Sequence, residues 1–165
     1  MRVFFLTALA LLFAAPAADA QRRERDFEKA PHNYWKRTPT DKFTKIKDDL
    51  LSGKIPLDRS SEKAFVTSVL KALDISPATQ MLVFSTTSLQ LSQISPRNPR
   101  ALYFNEDIYA GWVPGGQLEI AAVDPDLGGI YYLFDIPRGT RPMVIARSTR
   151  CMNCHAEFEI GRIPG

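Results

Sequence analysis

The chain has 165 residues, of which 21 are Lys or Arg and 18 are Asp or Glu, so its formal net charge at pH 7 is +3. This modest positive balance does not indicate nucleic acid as a partner. The length suits one domain that buries a sizeable hydrophobic core. No internal repeat stands out along the sequence.

Residues 1–20 have the pattern of an export signal. Arg2 precedes an almost uninterrupted apolar run over Val3–Ala15, and Ala18-Asp19-Ala20 fits the small-x-small cleavage pattern. Cleavage there would leave Gln21 as the mature N-terminus. The apolar run is too short for an ordinary membrane span, and no stop-transfer signal follows it. We therefore expect an exported, periplasmic protein with no stable membrane span after signal cleavage; an uncleaved N-terminal anchor is the alternative.

A charged arm precedes the domain. Residues 21–37 begin with interleaved acids and bases whose charges largely cancel. They end in the aromatic segment Pro31-His32-Asn33-Tyr34-Trp35, where packing is expected to begin. Residues 38–165 are predicted to form a single domain.

Two amphipathic helices are predicted at the start of this domain. The first begins at Thr38-Pro39-Thr40-Asp41, with the first Thr as N-cap and Pro at the first helical position, and it ends at Gly53. The second is capped by Ser60 or Ser61 and is stopped by Pro77. Both have the apolar spacing of ordinary packing helices.

The sequence after the helices is rich in β-branched and aromatic residues separated by turn residues. Short connections favour antiparallel pairing, since parallel crossovers need about a dozen residues or more. The alternation of Leu118, Ile120 and Ala122 indicates one buried sheet face, which the helices would cover. The predicted fold class is therefore α+β, with two N-terminal helices packed on an antiparallel sheet and a C-terminal segment after it. Strands are predicted at Met81–Phe84, which is expected to be buried, and at Ala101–Asn105, Ile108–Val113, Leu118–Val123, Ile130–Ile136 and Met143–Arg147.

Both cysteines and one of the two histidines of the chain lie in Cys151-Met152-Asn153-Cys154-His155. C-x-x-C-H is the attachment motif of c-type haem, in which two thiols add to the two vinyl groups of one porphyrin. One covalent haem c is therefore predicted, with Cys151 and Cys154 as its thioether positions and His155 as the proximal iron ligand. A Cys151–Cys154 disulfide and a zinc site are the alternatives, although the disulfide would close a very small loop and zinc would need further ligands.

The opposite side of the iron has three candidate ligands in the sequence. His32 is the only other histidine, and it lies among aromatic residues. Met143 and Met81 are also candidates, although Met commonly fills gaps in a core. An open or water-bound position is the alternative, and it would admit small ligands, whereas His/Met ligation would raise the reduction potential. Arg147 and Arg150 lie close enough to the motif to pair with a haem propionate.

The motif makes the chain resemble c-type cytochromes. The run from Pro31 to His155 resembles a group of uncharacterised exported bacterial cytochrome-like proteins. The phrases that carry this resemblance are Val83-Phe84-Ser85-Thr86-Thr87-Ser88-Leu89-Gln90, Asn98-Pro99-Arg100-Ala101-Leu102-Tyr103-Phe104-Asn105 and Arg150-Cys151-Met152-Asn153-Cys154-His155. The resemblance implies haem binding and export, and it supplies no reaction.

These observations lead to an expected function. We expect a mono-haem cytochrome that carries single electrons between periplasmic redox proteins, and thus a carrier rather than an enzyme. An enzyme or small-ligand sensor with an open iron site is one alternative. A non-haem domain whose C-x-x-C is a disulfide is the other.

Overall fold

The computed structural model of the protein describes residues 26–85, 88–157 and 161–165. The predicted export signal, residues 1–20, and the first part of the charged arm lie outside these residues. Among the helices of the described ranges, none combines the length and the apolar character needed to cross a membrane.

Helix α1, Lys42–Ser52, begins later than the sequence predicted, so the assignment of Thr38 as its N-cap is wrong. The N-cap is Asp41, whose side chain accepts a main-chain N–H from the first turn. Thr40 donates its own N–H and hydroxyl to the carboxylate of Asp124. These bonds tie the segment before the cap to the sheet, so the helix starts only after it.

Helix α1 ends at Gly53, as predicted, with a left-handed φ of 76°. Helix α2, Glu62–Ala72, is capped by Ser61, one of the two serines predicted for this role. It ends earlier than expected, because the backbone of Asp74 already has a φ of 55°. Pro77 therefore does not stop this helix; it opens a short 3₁₀ turn instead.

The sheet has five strands that lie in sequence order, each antiparallel to the next. This arrangement of two helices and an antiparallel meander confirms the predicted α+β class. The strands are β1 (Met81–Val83), β2 (Arg100–Phe104), β3 (Ile108–Trp112), β4 (Gln117–Asp124) and β5 (Gly128–Asp135).

One face of the sheet packs on the helices. Ala110, Ile120 and Tyr132 lie side by side on β3, β4 and β5, and all three are buried in one cluster with residues of α1 and α2. The ring of Phe43 in α1 lies 4.7 Å from that of Tyr132. The hydroxyls of Thr44 and Tyr132 are hydrogen-bonded at 2.6 Å. The sequence alternation thus identified the helix-covered face correctly, and the opposite face is called the second face below.

The strand predicted at Met81–Phe84 is not buried as expected. Strand β1 forms, but Met81, Leu82 and Phe84 are 51%, 53% and 53% exposed. Among the described residues, this strand pairs only with β2, at the edge of the sheet. An apolar run at an edge has no second neighbour to cover it, so composition alone overestimated its burial.

The predicted strand at Met143–Arg147 does not form a ladder. Only Arg147 makes a bridge, to Tyr132 of β5, and the N–H of Ser148 donates to the oxygen of Tyr131 at 2.8 Å. Ile145 is buried while its neighbours are exposed. The alternation in this segment therefore reflects packing on one side without paired backbone. These two contacts attach the chain to β5 just before the cysteine motif.

The aromatic segment before the helices belongs to the core. Tyr34 is fully buried, and its hydroxyl donates to the oxygen of Gly129 at 2.7 Å. The ring of Phe27 meets Tyr34 edge-on at 5.5 Å. Trp35 packs on Tyr34 at 4.7 Å. The last part of the charged arm therefore lies against the domain through Phe27.

Candidate functional site

The cysteine motif forms one helical turn, α3 (Met152–His155), immediately after Cys151. The N–H of His155 donates to the oxygen of Cys151 at 3.0 Å, and the N–H of Cys154 donates to the same oxygen at 3.2 Å. Residues three and four positions apart lie on one side of a helical turn. Both thiols and the imidazole therefore share a side, while Met152 is buried in the core on the other.

This turn borders a groove of about 660 Å³ on the second face of the sheet. Cys151, Cys154 and His155 all line it, and the volume lies in the range of cofactor sites. Gly111 and Ala121 have the smallest side chains among the sheet residues that line the groove, and the carboxylate of Glu119 lies over Gly111. Larger side chains surround them: Leu89, Leu102, Tyr109, Tyr131 and Leu133.

The imidazole of His155 is held in one orientation. Its Nδ1 lies 2.8 Å from the main-chain oxygen of Gly165. A main-chain oxygen only accepts, so Nδ1 is the donor in this bond, and in the neutral imidazole Nε2 then carries the lone pair. The N–H of Gly165 in turn donates to the oxygen of His155 at 3.1 Å. A histidine that binds a metal through one nitrogen commonly donates the other N–H to a carbonyl in this way.

The segment that holds His155 is itself fixed to the sheet. The oxygen of Pro164, which is buried, accepts the N–H of Gly129 at 3.0 Å. Gly128 has a φ of 78°, and a Cβ there would collide with the same oxygen. Close approach of this segment thus requires glycine at position 128. Nothing in the sequence pattern had pointed to a role for residues 164–165.

The two thiols have different surroundings. Both are free, Cys154 is exposed and Cys151 is half-buried. Burial raises the pKa of the Cys151 thiol; a hydrogen bond with Ser148 opposes this, and the negative charge of Glu119 adds to it. The Cys151 thiol is therefore held in its protonated form and is a poor nucleophile in the haem-free chain.

Sequence reasoning missed a charged pair in the same groove. Arg100 of β2 and Glu119 of β4 are joined at 3.0 Å, and both line the groove beside the motif. Ser88 and Gln90 also donate to the Glu119 carboxylate, at 2.7 Å and 2.9 Å. The available signal was Gly111, a glycine in the middle of a predicted strand, which is typical of a close approach by another group.

The three candidate distal ligands lie elsewhere in the described structure. His32 stacks on Tyr34 at 6.1 Å and lines another cavity, which shares no lining residue with the groove. Met143 packs against the core, and Met81 lies on the exposed edge strand. The structure brings none of the three to the described lining of the groove. Their role as iron ligands stays a prediction.

The two arginines predicted to pair with a haem propionate make different contacts in the structure. The guanidinium of Arg147 lies over the rings of Tyr34 and Trp35 at 4.8 Å and 5.0 Å, and it donates to the oxygen of Tyr34 at 2.8 Å. Arg150 lines the groove. Arg150 is therefore placed where an anionic group in the groove could reach it, whereas Arg147 fastens the aromatic segment to the chain just before the motif.

Within the described ranges, no group of three or more His, Cys, Asp or Glu side chains is arranged to hold a metal ion. No protein-family model matches the chain, and no curated protein or solved structure gives a significant match. The site is therefore interpreted from its own residues, and the resemblance to c-type cytochromes stays a prediction.

Proposed function

We propose that the protein is an exported c-type cytochrome with one covalent haem, which carries single electrons between periplasmic redox partners. Cys151 and Cys154 would form the thioethers, and His155 would bind the iron through Nε2. The observation that carries this proposal is the His155 imidazole, whose Nδ1–H is engaged by the oxygen of Gly165 beside a cofactor-sized groove.

The donor set also fits this cofactor chemically. Each thiol can add its S–H across one vinyl group, so that a carbon–sulfur bond forms and the proton moves to the neighbouring carbon. The two thiols lie one helical turn apart on the rim of a single groove. A haem held there supplies one-electron iron chemistry. The side chains of the protein would orient it and exclude water from it.

The groove and the core behind it would each contribute to holding the haem. Met152, buried behind the turn, anchors the attachment site to the core. The apolar side chains of Leu102, Tyr109 and Leu133 give the groove a wall that favours a planar apolar ring over water. Tyr131 and Gly165 hold the imidazole and would limit its movement if it bound an iron.

One observation favours the alternative of an open-site haem enzyme or small-ligand sensor. Arg100 and Glu119 lie in the same groove and could hydrogen-bond a small ligand of the iron. Polarity and hydrogen-bond donors on the distal side decide between ligand binding and electron transfer. A carbon monoxide test separates the two functions.

The first experiment is a haem stain of the denatured protein after periplasmic expression with a c-type maturation system. We expect a stained band, and we expect it to be lost in the Cys151→Ser/Cys154→Ser double variant. An unstained wild-type band would overturn the proposal and leave the non-haem domain with a C-x-x-C disulfide. For the loaded protein, an unchanged reduced spectrum under carbon monoxide supports an electron carrier, and a strong change supports the open site.

A further inference from the structure

The second face of the sheet carries an ion pair where an apolar surface would be less costly. Nη1 of Arg100 lies 3.0 Å from Oε2 of Glu119, and the two side chains are only 15% and 22% exposed. Partial burial of both charges has a desolvation cost that can exceed the attraction between them. Such a pair is therefore weak as a stabilising device, and its place in the groove suggests another role.

Three strands and one loop build this pair. Arg100 lies on β2 and Glu119 on β4, and Gly111 of β3 lies between them, opposite Glu119. A Cβ at position 111 would lie 2.9 Å from Oε2 of Glu119. The carboxylate can lie across β3 because glycine is there. Ser88 and Gln90, from the loop that covers this end of the sheet, donate to Oε1 of Glu119.

The pair shares its surroundings with the attachment motif. Arg100 and Glu119 line the same groove as Cys151, Cys154 and His155. Glu119 carries a negative charge on the lining that it shares with Cys151, so its field extends to the motif. A group attached to these thiols would experience that field across a partly buried space, where screening by water is weak.

We propose that Arg100 and Glu119 shift the reduction potential of the haem held at the motif in opposite directions, an inference that rests on the proposed function. Reduction takes one electron from the redox partner and lowers the charge at the iron by one. Arg100 alone would therefore favour the reduced state, and Glu119 alone would favour the oxidised state. Together they offset each other, so each single substitution uncovers the charge of its partner.

The test compares midpoint potentials of haem-loaded Glu119→Gln and Arg100→Gln variants by spectroelectrochemical titration. A unit charge within about 10 Å, at an effective dielectric constant of about 20, changes an equilibrium on the order of tenfold. We expect Glu119→Gln to raise the ratio of reduced to oxidised protein at fixed potential about tenfold, and Arg100→Gln to lower it by a similar factor. A tenfold change corresponds to about 59 mV for one electron. The double variant should return close to wild type.

Glu62→Gln is the matched control, because Glu62 pairs with Arg138 at the same 3.0 Å but lies outside the groove. Arg138 is 73% exposed, so loss of this pair should leave the potential unchanged. Shifts of the same sign in both groove variants, or shifts no larger than the control, would overturn the inference.

Two outcomes distinguish a failure of this inference from a failure of the proposed function. A wild-type protein that carries no haem stain contradicts the proposed function itself. A stained protein without shifts of opposite sign contradicts only the role of the pair. If haem-loaded Arg100→Gln does not accumulate, Glu119→Gln, which is nearly isosteric, tests the inference by itself. Its midpoint potential should then be higher than that of Glu62→Gln.

Discussion

The imidazole of His155 lies on the phenol ring of Tyr131, with ring centroids 4.2 Å apart and ring planes inclined by 28°. Gly129 permits this contact, because a Cβ there would collide with the hydroxyl of Tyr131. Burial raises the pKa of Tyr131 to about 12, and the neighbouring Cys151 adds to the effect. The ring is therefore neutral at physiological pH and offers an uncharged surface on which the imidazole is held.

Replacement of Tyr131 by alanine tests this support. The side chain is 7% exposed, and loss of a buried aromatic ring should lower the free energy of unfolding by about 3 kcal/mol. Tyr131→Phe keeps the ring and should cost less than about 1 kcal/mol. Urea unfolding of the two variants measures the difference. Equal losses would assign the contribution to the hydroxyl instead of the stacked ring.

Gly111→Ala tests the close approach beneath Glu119. The added methyl group would lie 2.9 Å from Oε2 of Glu119 and 3.2 Å from Cδ2 of Leu102, so we expect a loss of about 1–3 kcal/mol in the free energy of unfolding. In a Glu119→Ala background the carboxylate is absent, and the same substitution should cost clearly less. A double-mutant cycle by urea unfolding gives this difference. An identical cost in both backgrounds would show that the carboxylate is not the obstacle.

The fold was largely predictable because its signals are local. The alternation over Leu118, Ile120 and Ala122 identified the buried face, and all three are buried. The same kind of alternation misled at Met143–Arg147, where Ile145 packs inward but the backbone makes only one bridge. Side-chain periodicity reports which side of a segment is buried. Whether a neighbouring strand is present depends on residues distant in the sequence.

The site was predictable only in part for the same reason. Cys151, Cys154 and His155 lie within five consecutive residues, so their spacing alone brings them together. Glu119 alternates with buried residues along β4, which is the pattern of a solvent-facing position. Its partners are Arg100 and the loop residues Ser88 and Gln90, all of which lie far from it in the sequence. Contacts between residues distant in the sequence therefore form the part of the groove that the motif does not predict.

Asp124 is expected to make the fold sensitive to acid. Burial opposes its charged form, but N–H groups of Thr40, Asp126 and Leu127 donate to the carboxylate, and the net effect lowers its pKa. A lowered pKa in the folded state stabilises the protein fully above the unfolded value of about 3.9. This contribution is lost as the pH falls through the lower folded value.

Asp124→Asn should remove that dependence. The amide presents an NH₂ group where one carboxylate oxygen accepts, so we expect a loss of about 1–3 kcal/mol at pH 7. Urea unfolding at pH 7, 4 and 3 should show the wild-type advantage over the variant shrinking below about pH 4. A constant difference across this range would mean that the charge of Asp124 does not contribute.

The two thiols of the haem-free chain should react at different rates, because the groove shields only one of them. Cys154 is exposed, whereas burial and the charge of Glu119 raise the pKa of Cys151. Only the thiolate reacts readily, so iodoacetamide near pH 8 should modify Cys154 first. Cys151 should follow only above the ordinary thiol pKa of about 8.5. Mass spectrometry of the digested protein measures both rates.

Two substitutions near Cys151 should change its alkylation rate in opposite directions. Glu119→Gln removes a negative charge that raises the pKa of Cys151, so its alkylation should become faster. Ser148→Ala removes a hydrogen bond that lowers the same pKa, so alkylation should become slower. In urea the two cysteines should react alike. If Cys151 and Cys154 already react alike in the folded protein, the motif does not lie against the groove. A slower Cys151 that responds to both substitutions would support its contact with Glu119 and Ser148 without any bound haem.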